Sequence, residues 1–192
     1  MQLPVSTTPT PGCWETVEIP GATFEELTRA IIIEISSVQS PVYLIVAGGT
    51  FNSVMRHTEA AVVKASMYAL LGVVGAQTVK YPNFPSKLMI SQMFSPPSFS
   101  YLMLERLNVF NSLACEMNSI CGFPALPDPN SVIKFEGSPG TGQGGWYWTA
   151  NGQLIDREAF RERKPLRMIH LNETKKGQFA RMLINHFERH KH

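Results

Sequence analysis

The sequence predicts an α/β fold around a mostly parallel sheet. Predicted strands and helices alternate along most of the chain, which is typical of parallel sheets. Residues 42–47, VYLIVA, form an apolar run of strand length, as expected for a strand buried on both faces. Hydrophobic residues make up 44% of the 192 residues and charged residues 17%, which is enough apolar material for a core. We expect a flexible segment over residues 1–12 and a single domain over residues 13–192.

Local patterns predict the remaining elements in order. Residues 2–6, QLPVS, are excluded as a strand because the segment is short and contains a proline. The helix that begins at residue 23 has a capping box, in which Thr23 and Glu26 each satisfy a free backbone N–H. The predicted elements are a strand over 13–21, a helix over 23–38, a largely buried helix over 58–76, a strand over 87–93, a helix over 101–123, a strand over 131–137, a hairpin over 145–154 with an Asn151-Gly152 turn, and a helix over 173–190.

Charge, cysteine content and hydropathy exclude several classes of protein. The net charge of +2 predicts no polyanionic partner. The odd number of cysteines (Cys13, Cys115 and Cys121) and the lack of a CxxC pair argue against a disulfide framework or a zinc site. Cys115 and Cys121 are expected to be small core residues. No apolar run approaches the roughly 20 residues of a membrane span, and no secretory signal is evident. We expect a cytoplasmic protein without a cofactor.

Two further patterns are better explained by structure than by binding. Residues 140–145, GTGQGG, match GxGxxG by letters, but WYWTANG follows and cannot begin a helix, so we expect a flexible loop that leads into the hairpin. His186 and His190 have the i, i+4 spacing of metal ligands, yet no third ligand is evident. We therefore expect solvated histidines at a helix end and no metal site. His57 is expected at the surface.

Three residues are candidates for chemistry, each with an ordinary alternative. His170 precedes the last predicted helix, where it can act as a general base or simply bond to the backbone. Gly21 and Asn52 both follow predicted strands. A backbone N–H and an asparagine side chain are the usual donors of an oxyanion hole, but glycine and asparagine are also favoured in turns.

These positions together resemble the SGNH (GDSL-like) hydrolase family. VEIPGATFEEL is similar to the block with the oxyanion glycine, here Gly21, and VYLIVAGGTFN to the block with the oxyanion asparagine, here Asn52. IHLNETKKGQFARML is similar to the block with the catalytic histidine, here His170. KLMISQMFSPPS and NVFNSLACEMNSICGFPALPD resemble the fourth strand and the helix after it. The resemblance, over about residues 13–188, implies a three-layer α/β/α sandwich with a flavodoxin-like sheet.

The chain departs from the family pattern in two places. It has no Gly-Asp-Ser nucleophile block, and Arg167 stands three residues before His170 where the family has an aspartate. The acidic partner of His170 would have to come from elsewhere, and Asp156, Glu158 and Glu162 are the nearby carboxylates. The missing block would also remove the first, central strand of the family sheet and leave two open edges. We expect a truncated or degenerate relative.

The resemblance implies hydrolysis of a small acyl ester, and the departures imply that this chain has little of that activity. The alternative is a non-catalytic interaction module that keeps the fold. Basic residues gather over residues 161–192, which could contact an acidic partner or nucleic acid. The region lacks the interleaved aromatic residues that stack on bases, so nucleic acid is the less favoured partner.

Overall fold

The computed structural model of the protein describes residues 3–6, 14–96, 99–133, 171 and 173–192. Within these residues the chain is a mixed α/β protein with four strands and six helices. The strands are β1 (Leu3–Ser6), β2 (Glu15–Val17), β3 (Tyr43–Val46) and β4 (Lys87–Ile90). The helices are α1 (Phe24–Ser36), α2 (Thr50–Met55), α3 (Ala60–Lys80), α4 (Tyr101–Ile120), α5 (Pro129–Val132) and α6 (Glu173–His190).

The four strands form one sheet in the order β2-β1-β3-β4. β3 and β4 pair in parallel, with Tyr43 opposite Lys87. β1 is antiparallel to both of its neighbours, and Val5 lies opposite Glu15 on one side and Leu44 on the other. Three strands therefore share one direction, and the strand between β2 and β3 runs the opposite way.

The central position of the sheet is occupied, which corrects the expectation of a missing first strand. β1 lies in the segment 2–6, whose length and proline argue against a strand, and within the predicted flexible segment 1–12. Pro4 pairs with Thr16 of β2, whereas only Val5 and Ser6 pair with β3. The residue without an N–H is thus not among those paired with β3, which is how a proline is tolerated inside a sheet. The other residues of 1–12 lie outside the described part of the chain.

β3 is buried on both faces, as its continuous apolar run predicts. Leu44 and Ile45 are 0% exposed and Val46 is 1% exposed. Helix α6 covers the face that carries Tyr43, whose ring centroid lies 5.3 Å from that of Phe187. Because successive side chains point to opposite faces, Leu44 and Val46 are buried on the other side of the sheet.

Helix α1 begins with the predicted capping box. The Thr23 hydroxyl accepts from the Glu26 N–H at 3.2 Å, and the Glu26 carboxylate accepts from the Thr23 N–H at 3.4 Å. The buried residues Leu27, Ile31 and Ile35 recur at a spacing of four, so they lie on one face of the helix. α1 packs against α3.

Helix α3 is longer and more exposed than the sequence indicated. Val63, Met67, Leu70 and Val74 are buried, and the helix packs against α1 and α4. The prediction of a largely buried helix is wrong, because apolar side chains such as Tyr68, 48% exposed, lie on its other face. By length and composition α3 is apolar enough to cross a membrane, contrary to our expectation, although core helices pass the same test.

Two asparagines of helix α4 bind the backbone at and after β4. The Asn118 carboxamide accepts from the N–H of Ile90 and donates to its C=O, both at 2.7 Å. Asn111 does the same at Met93, at 2.8 and 2.9 Å. Each side chain thus occupies one donor and one acceptor that a neighbouring strand would otherwise use.

The predicted strand over residues 131–137 is wrong where it can be compared. Residues 131 and 132 belong to the short helix α5, whose cap Asp128 accepts from the Asn130 N–H at 3.0 Å. An Asp followed by Pro129 at the first helical position favours a helix start over a strand. Residues 134–137, the glycine loop over 140–145 and the hairpin over 145–154 lie outside the described residues.

His186 is buried, which corrects the expectation of a solvated histidine. It is 7% exposed, and its Nε2 lies 3.0 Å from the carbonyl oxygen of Pro124. Burial lowers the pKa of the imidazole, because it disfavours the charged form. His57 is exposed, as predicted. The described part of the chain has no group of three side chains that could hold a metal ion.

Candidate functional site

A cavity of about 210 Å³ lies where β2 and β3 end, as expected for a ligand site in a sheet of this type. The turn before α1, the turn before α2 and one side of α6 surround it. The lining residues, in chain order, are Thr16, Glu18, Ile19, Pro20, Gly21, Ala47, Gly48, Gly49, Thr50, Phe51, Asn52, Met93, Phe94, Leu171, Lys176, Phe179, Ala180, Leu183 and Ile184.

Gly21 lies in a tight turn at the cavity wall. The N–H of Ala22 donates to the carbonyl of Ile19 at 3.4 Å, and Gly21 has a φ of +74°. Proline followed by glycine with positive φ is the residue pattern of a type II turn. The turn itself therefore accounts for the glycine. The N–H of Gly21 takes no part in that turn hydrogen bond.

The second of the two glycines that follow β3, Gly49, has a packing reason. Gly49 has a φ of +77°, and a Cβ on it would lie 2.6 Å from the Cα of Phe24. The backbone of the turn thus rests directly on the start of α1. Ser53 joins the two segments, because its hydroxyl accepts from the Phe24 N–H at 2.9 Å and donates to the Gly49 carbonyl at 2.8 Å.

Asn52 lies in the first turn of α2, a short helix that the sequence analysis did not predict. Its side chain is half-buried at the cavity wall. Within the described part of the chain, neither the Asn52 carboxamide nor the Gly21 N–H makes a hydrogen bond. Both residues of the predicted oxyanion hole therefore line one cavity, and neither predicted donor group is bonded to another described residue.

Arg56 connects the elements that carry these two residues. It follows α2, and its guanidinium donates to the Gly21 carbonyl at 3.1 Å and to the Glu26 carboxylate at 2.8 Å. The hydrogen bonds that Glu26 accepts from Thr23, and then the nearby charge of Arg56, hold the pKa of Glu26 below its usual 4.5. The carboxylate therefore stays charged above pH 4.5 and continues to accept the hydrogen bond from Arg56.

An aromatic wall closes the cavity on its inner side. The ring of Phe94 lies edge-on to Phe51, with centroids 5.1 Å apart, and edge-on to Phe179 at 6.1 Å. All three side chains are buried. Edge-on arrangement is a favoured geometry for a pair of aromatic rings, so these contacts stabilise the apolar wall.

The arrangement suits a carbonyl compound with an apolar group. An engineered apolar cavity of about 150 Å³ binds benzene, so 210 Å³ is enough for a phenyl ring or a short acyl chain. Hydrogen-bond donors beside an apolar wall stabilise negative charge on a carbonyl oxygen better than water does. Two charged residues, Glu18 and Lys176, also line the cavity.

The sequence predicts no nucleophile, and the predicted base is not among the described residues. His170 lies outside the described residues, as do Asp156, Glu158, Glu162 and Arg167, whereas Leu171 lines the cavity. Ser6 lies opposite Tyr43, at the start of β3, whereas the cavity lies past its end. Because β1 runs antiparallel to β3, Ser6 lies at the end of the sheet opposite the cavity. No serine or cysteine in the described ranges lines the cavity.

Sequence reasoning missed Arg56 and the aromatic wall. Arg56 was missed because its partners are 30 and 35 residues away and no local pattern relates them. Phe179 is buried in the last helix, but its contact with Phe94 depends on tertiary packing. The spacing of Asn52 and Arg56, one helical turn apart, is the only local signal that associates Arg56 with the site.

Comparison of the chain with protein-family models, with curated proteins and with solved structures found no match in any of the three.

Proposed function

We propose that this chain is an SGNH-like domain that binds a small ester or related carbonyl compound and hydrolyses it little or not at all. The observation that carries the proposal is the cavity in which Gly21 and Asn52 lie together beside an apolar wall. The family resemblance supplies the reaction class, and the geometry supports the binding part of it. Gly21 N–H and the Asn52 carboxamide would donate to the carbonyl oxygen.

The low activity follows from the groups that an ester hydrolysis needs. A nucleophile must attack the carbonyl carbon, and a base must take its proton. In the family resemblance His170 is the base, but the chain has no Gly-Asp-Ser block and has Arg167 where the family has an aspartate. A cation there cannot stabilise the imidazolium. The reversed β1 supports the same reading, because its Ser6 lies at the other end of the sheet.

Binding and turnover can be tested separately. Phenylacetone has an ester-like carbonyl that cannot be hydrolysed, and propylbenzene has the same shape with a methylene group in place of the carbonyl. We expect phenylacetone to bind more tightly and to shift the NMR signals of the Gly21 N–H and the Asn52 side-chain amide. Asn52→Leu should reduce this preference about fivefold, since one hydrogen bond contributes about 1 kcal/mol. Asn108→Leu, at an exposed site on α4, is the matched control.

Turnover is measured with 4-nitrophenyl acetate. We expect the purified chain and its His170→Ala variant to release 4-nitrophenol at the same slow rate. Rapid release that His170→Ala abolishes would contradict the proposed loss of activity. Equal affinities for phenylacetone and propylbenzene would contradict the proposed carbonyl site.

The alternative function, an interaction module with a basic surface, stays a prediction. One described cation of the basic region is already engaged: Lys191 lies 2.6 Å from the Glu188 carboxylate and 5.3 Å from the centre of the Tyr43 ring. Binding of RNA that weakens steeply with salt would favour this alternative, and no binding at low salt would exclude its nucleic-acid form.

A further inference from the structure

We infer that Arg56 is a positioning residue, which holds the Gly21 turn at the cavity wall beside Asn52. The inference goes beyond the pair of oxyanion donors to the group that sets their relative position. It rests on the proposed function, since the position of Gly21 matters only if its N–H binds a ligand. Its structural part, that Arg56 fixes the turn, can be tested without any ligand.

The Gly21 turn is weakly held by its own backbone. Its internal hydrogen bond, from Ala22 N–H to Ile19 C=O, is long at 3.4 Å. Gly21 is exposed, and the space where its Cβ would be has no atom within 4 Å. Glycine also has access to more of the backbone dihedral space than any other residue. A turn of this kind needs an outside contact to keep one geometry.

Arg56 supplies that contact from the element that carries Asn52. Its Nη2 donates to the Gly21 carbonyl at 3.1 Å. Arg56 is the C-cap residue directly after α2, and Asn52 lies one helical turn before it. A rigid helical turn and one hydrogen bond therefore connect the two proposed donors. Movement of the Gly21 turn away from Asn52 would break this bond.

The guanidinium is itself fixed from the side of α1. Its Nη1 donates to the Glu26 carboxylate at 2.8 Å, and the same carboxylate oxygen accepts from the Thr23 hydroxyl at 3.0 Å. Glu26 is thus committed to the start of α1 by the capping box. The planar guanidinium can bond to the carbonyl and the carboxylate at once, whereas the single ammonium of a lysine is a point charge without this fork.

The ordinary alternative is a surface ion pair with no consequence for the cavity. The Arg56 and Glu26 side chains are 56% and 52% exposed, and exposed pairs contribute little to stability. The two views differ in what a substitution changes. Loss of a simple ion pair leaves the Gly21 backbone and the carbonyl preference of the cavity unaltered. Loss of a positioning residue alters both and leaves apolar binding intact.

The experiment compares Arg56→Met, Arg56→Lys and Arg29→Met in the full chain. Arg29 is the matched control, because it forms a similar exposed ion pair with Glu25 at 2.7 Å on α1 and does not contact the turn. Two quantities are measured by NMR for each protein. The first is the pair of HN–Hα couplings of Gly21, which report its φ. The second is the ratio of the Kd values for propylbenzene and phenylacetone.

We expect Arg56→Met to change the Gly21 couplings and to lower the Kd ratio three- to tenfold, while the Kd for propylbenzene changes less than twofold. Arg56→Lys should lie between Arg56→Met and the wild type, and Arg29→Met should match the wild type. Unchanged Gly21 couplings in Arg56→Met would overturn the inference. If the wild type prefers phenylacetone, changed couplings with an unchanged Kd ratio would also overturn it, because the turn would then be irrelevant to binding.

Failure of the proposed function gives a different result. In that case the wild-type protein itself shows a Kd ratio near one, and Asn52→Leu leaves it unaltered. The Gly21 couplings then decide the inference alone. A change in Arg56→Met and none in Arg29→Met supports the positioning of the turn by Arg56, and no change in either variant overturns it.

Discussion

Replacing Gly49 by alanine places a methyl group against the backbone of α1. The new Cβ would lie 2.6 Å from the Cα of Phe24 and 2.7 Å from its nitrogen, which are not atoms of a flexible side chain. The positive φ of +77° adds strain, at about 1–2 kcal/mol for a residue with a Cβ. Overpacking of a well-packed region costs about 1–3 kcal/mol. We expect Gly49→Ala to lower the free energy of unfolding by about 2–5 kcal/mol.

Two other glycines separate these contributions. Gly21 has a φ of +74° and nothing within 4 Å of a Cβ, so Gly21→Ala carries only the strain, about 1–2 kcal/mol. Gly75 lies in α3 with no contact and no positive φ. Because alanine is favoured over glycine inside a helix, Gly75→Ala should stabilise the protein by about 0.5–1 kcal/mol.

The assay is urea unfolding followed by circular dichroism, with the free energy extrapolated to zero urea. From the most to the least stable protein, we expect the order Gly75→Ala, wild type, Gly21→Ala and Gly49→Ala. Equal losses for Gly49→Ala and Gly21→Ala would refute the close contact with α1, since only backbone strain would then remain. A stabilising effect of Gly21→Ala would refute the left-handed turn at the cavity.

Two more predictions concern polar groups in the core. Asn118→Ala should lower the free energy of unfolding by about 2–4 kcal/mol, because it leaves the buried N–H and C=O of Ile90 without their side-chain partners. Asn108→Ala, at an exposed site of the same helix, should change it by less than about 0.5 kcal/mol. Similar losses for the two variants in urea unfolding would contradict this prediction. The pKa of His186 is lowered by burial, so the unfolded chain binds the extra proton near pH 6.5 while the native protein resists it. The stability of the wild type should therefore fall as the pH drops below about 6.5, and His186→Gln, which can still donate to a carbonyl, should lack this part of the decline; parallel stability curves from pH 7.5 to 5.0 would contradict it.

Elements governed by local sequence were predictable. The capping box of Thr23 and Glu26 needs only neighbouring residues, and the structure confirms it. The apolar run of β3 identified a strand buried on both faces. Gly21 and Asn52 were candidates for one site because each follows a predicted strand, and both line the cavity. In each case the physical cause lies within a few residues of the signal.

Features that depend on distant partners were not predictable. Ser6 and Val5 form a strand because β2 and β3 leave a central position open, and no local propensity of a short segment with a proline indicates this. The environment of His186 depends on its contact with the carbonyl of Pro124, which lies 62 residues away in the sequence. Helix α2 is too short for a periodic pattern. The role of His170 stays a prediction, because the residue lies outside the described part of the chain.

The spacing of the two asparagines along α4 matches the spacing of their backbone partners at and after β4. Asn111 and Asn118 are seven residues apart, which is about 10.5 Å along a helix. Their partners, Met93 and Ile90, are three residues apart, which is about 10 Å along an extended chain. The two distances are nearly equal, so both asparagines can reach their backbone partners at once. An insertion of one residue between the asparagines would rotate one of them by about 100° away from its partner, so the length of this helical segment is set by the backbone it contacts.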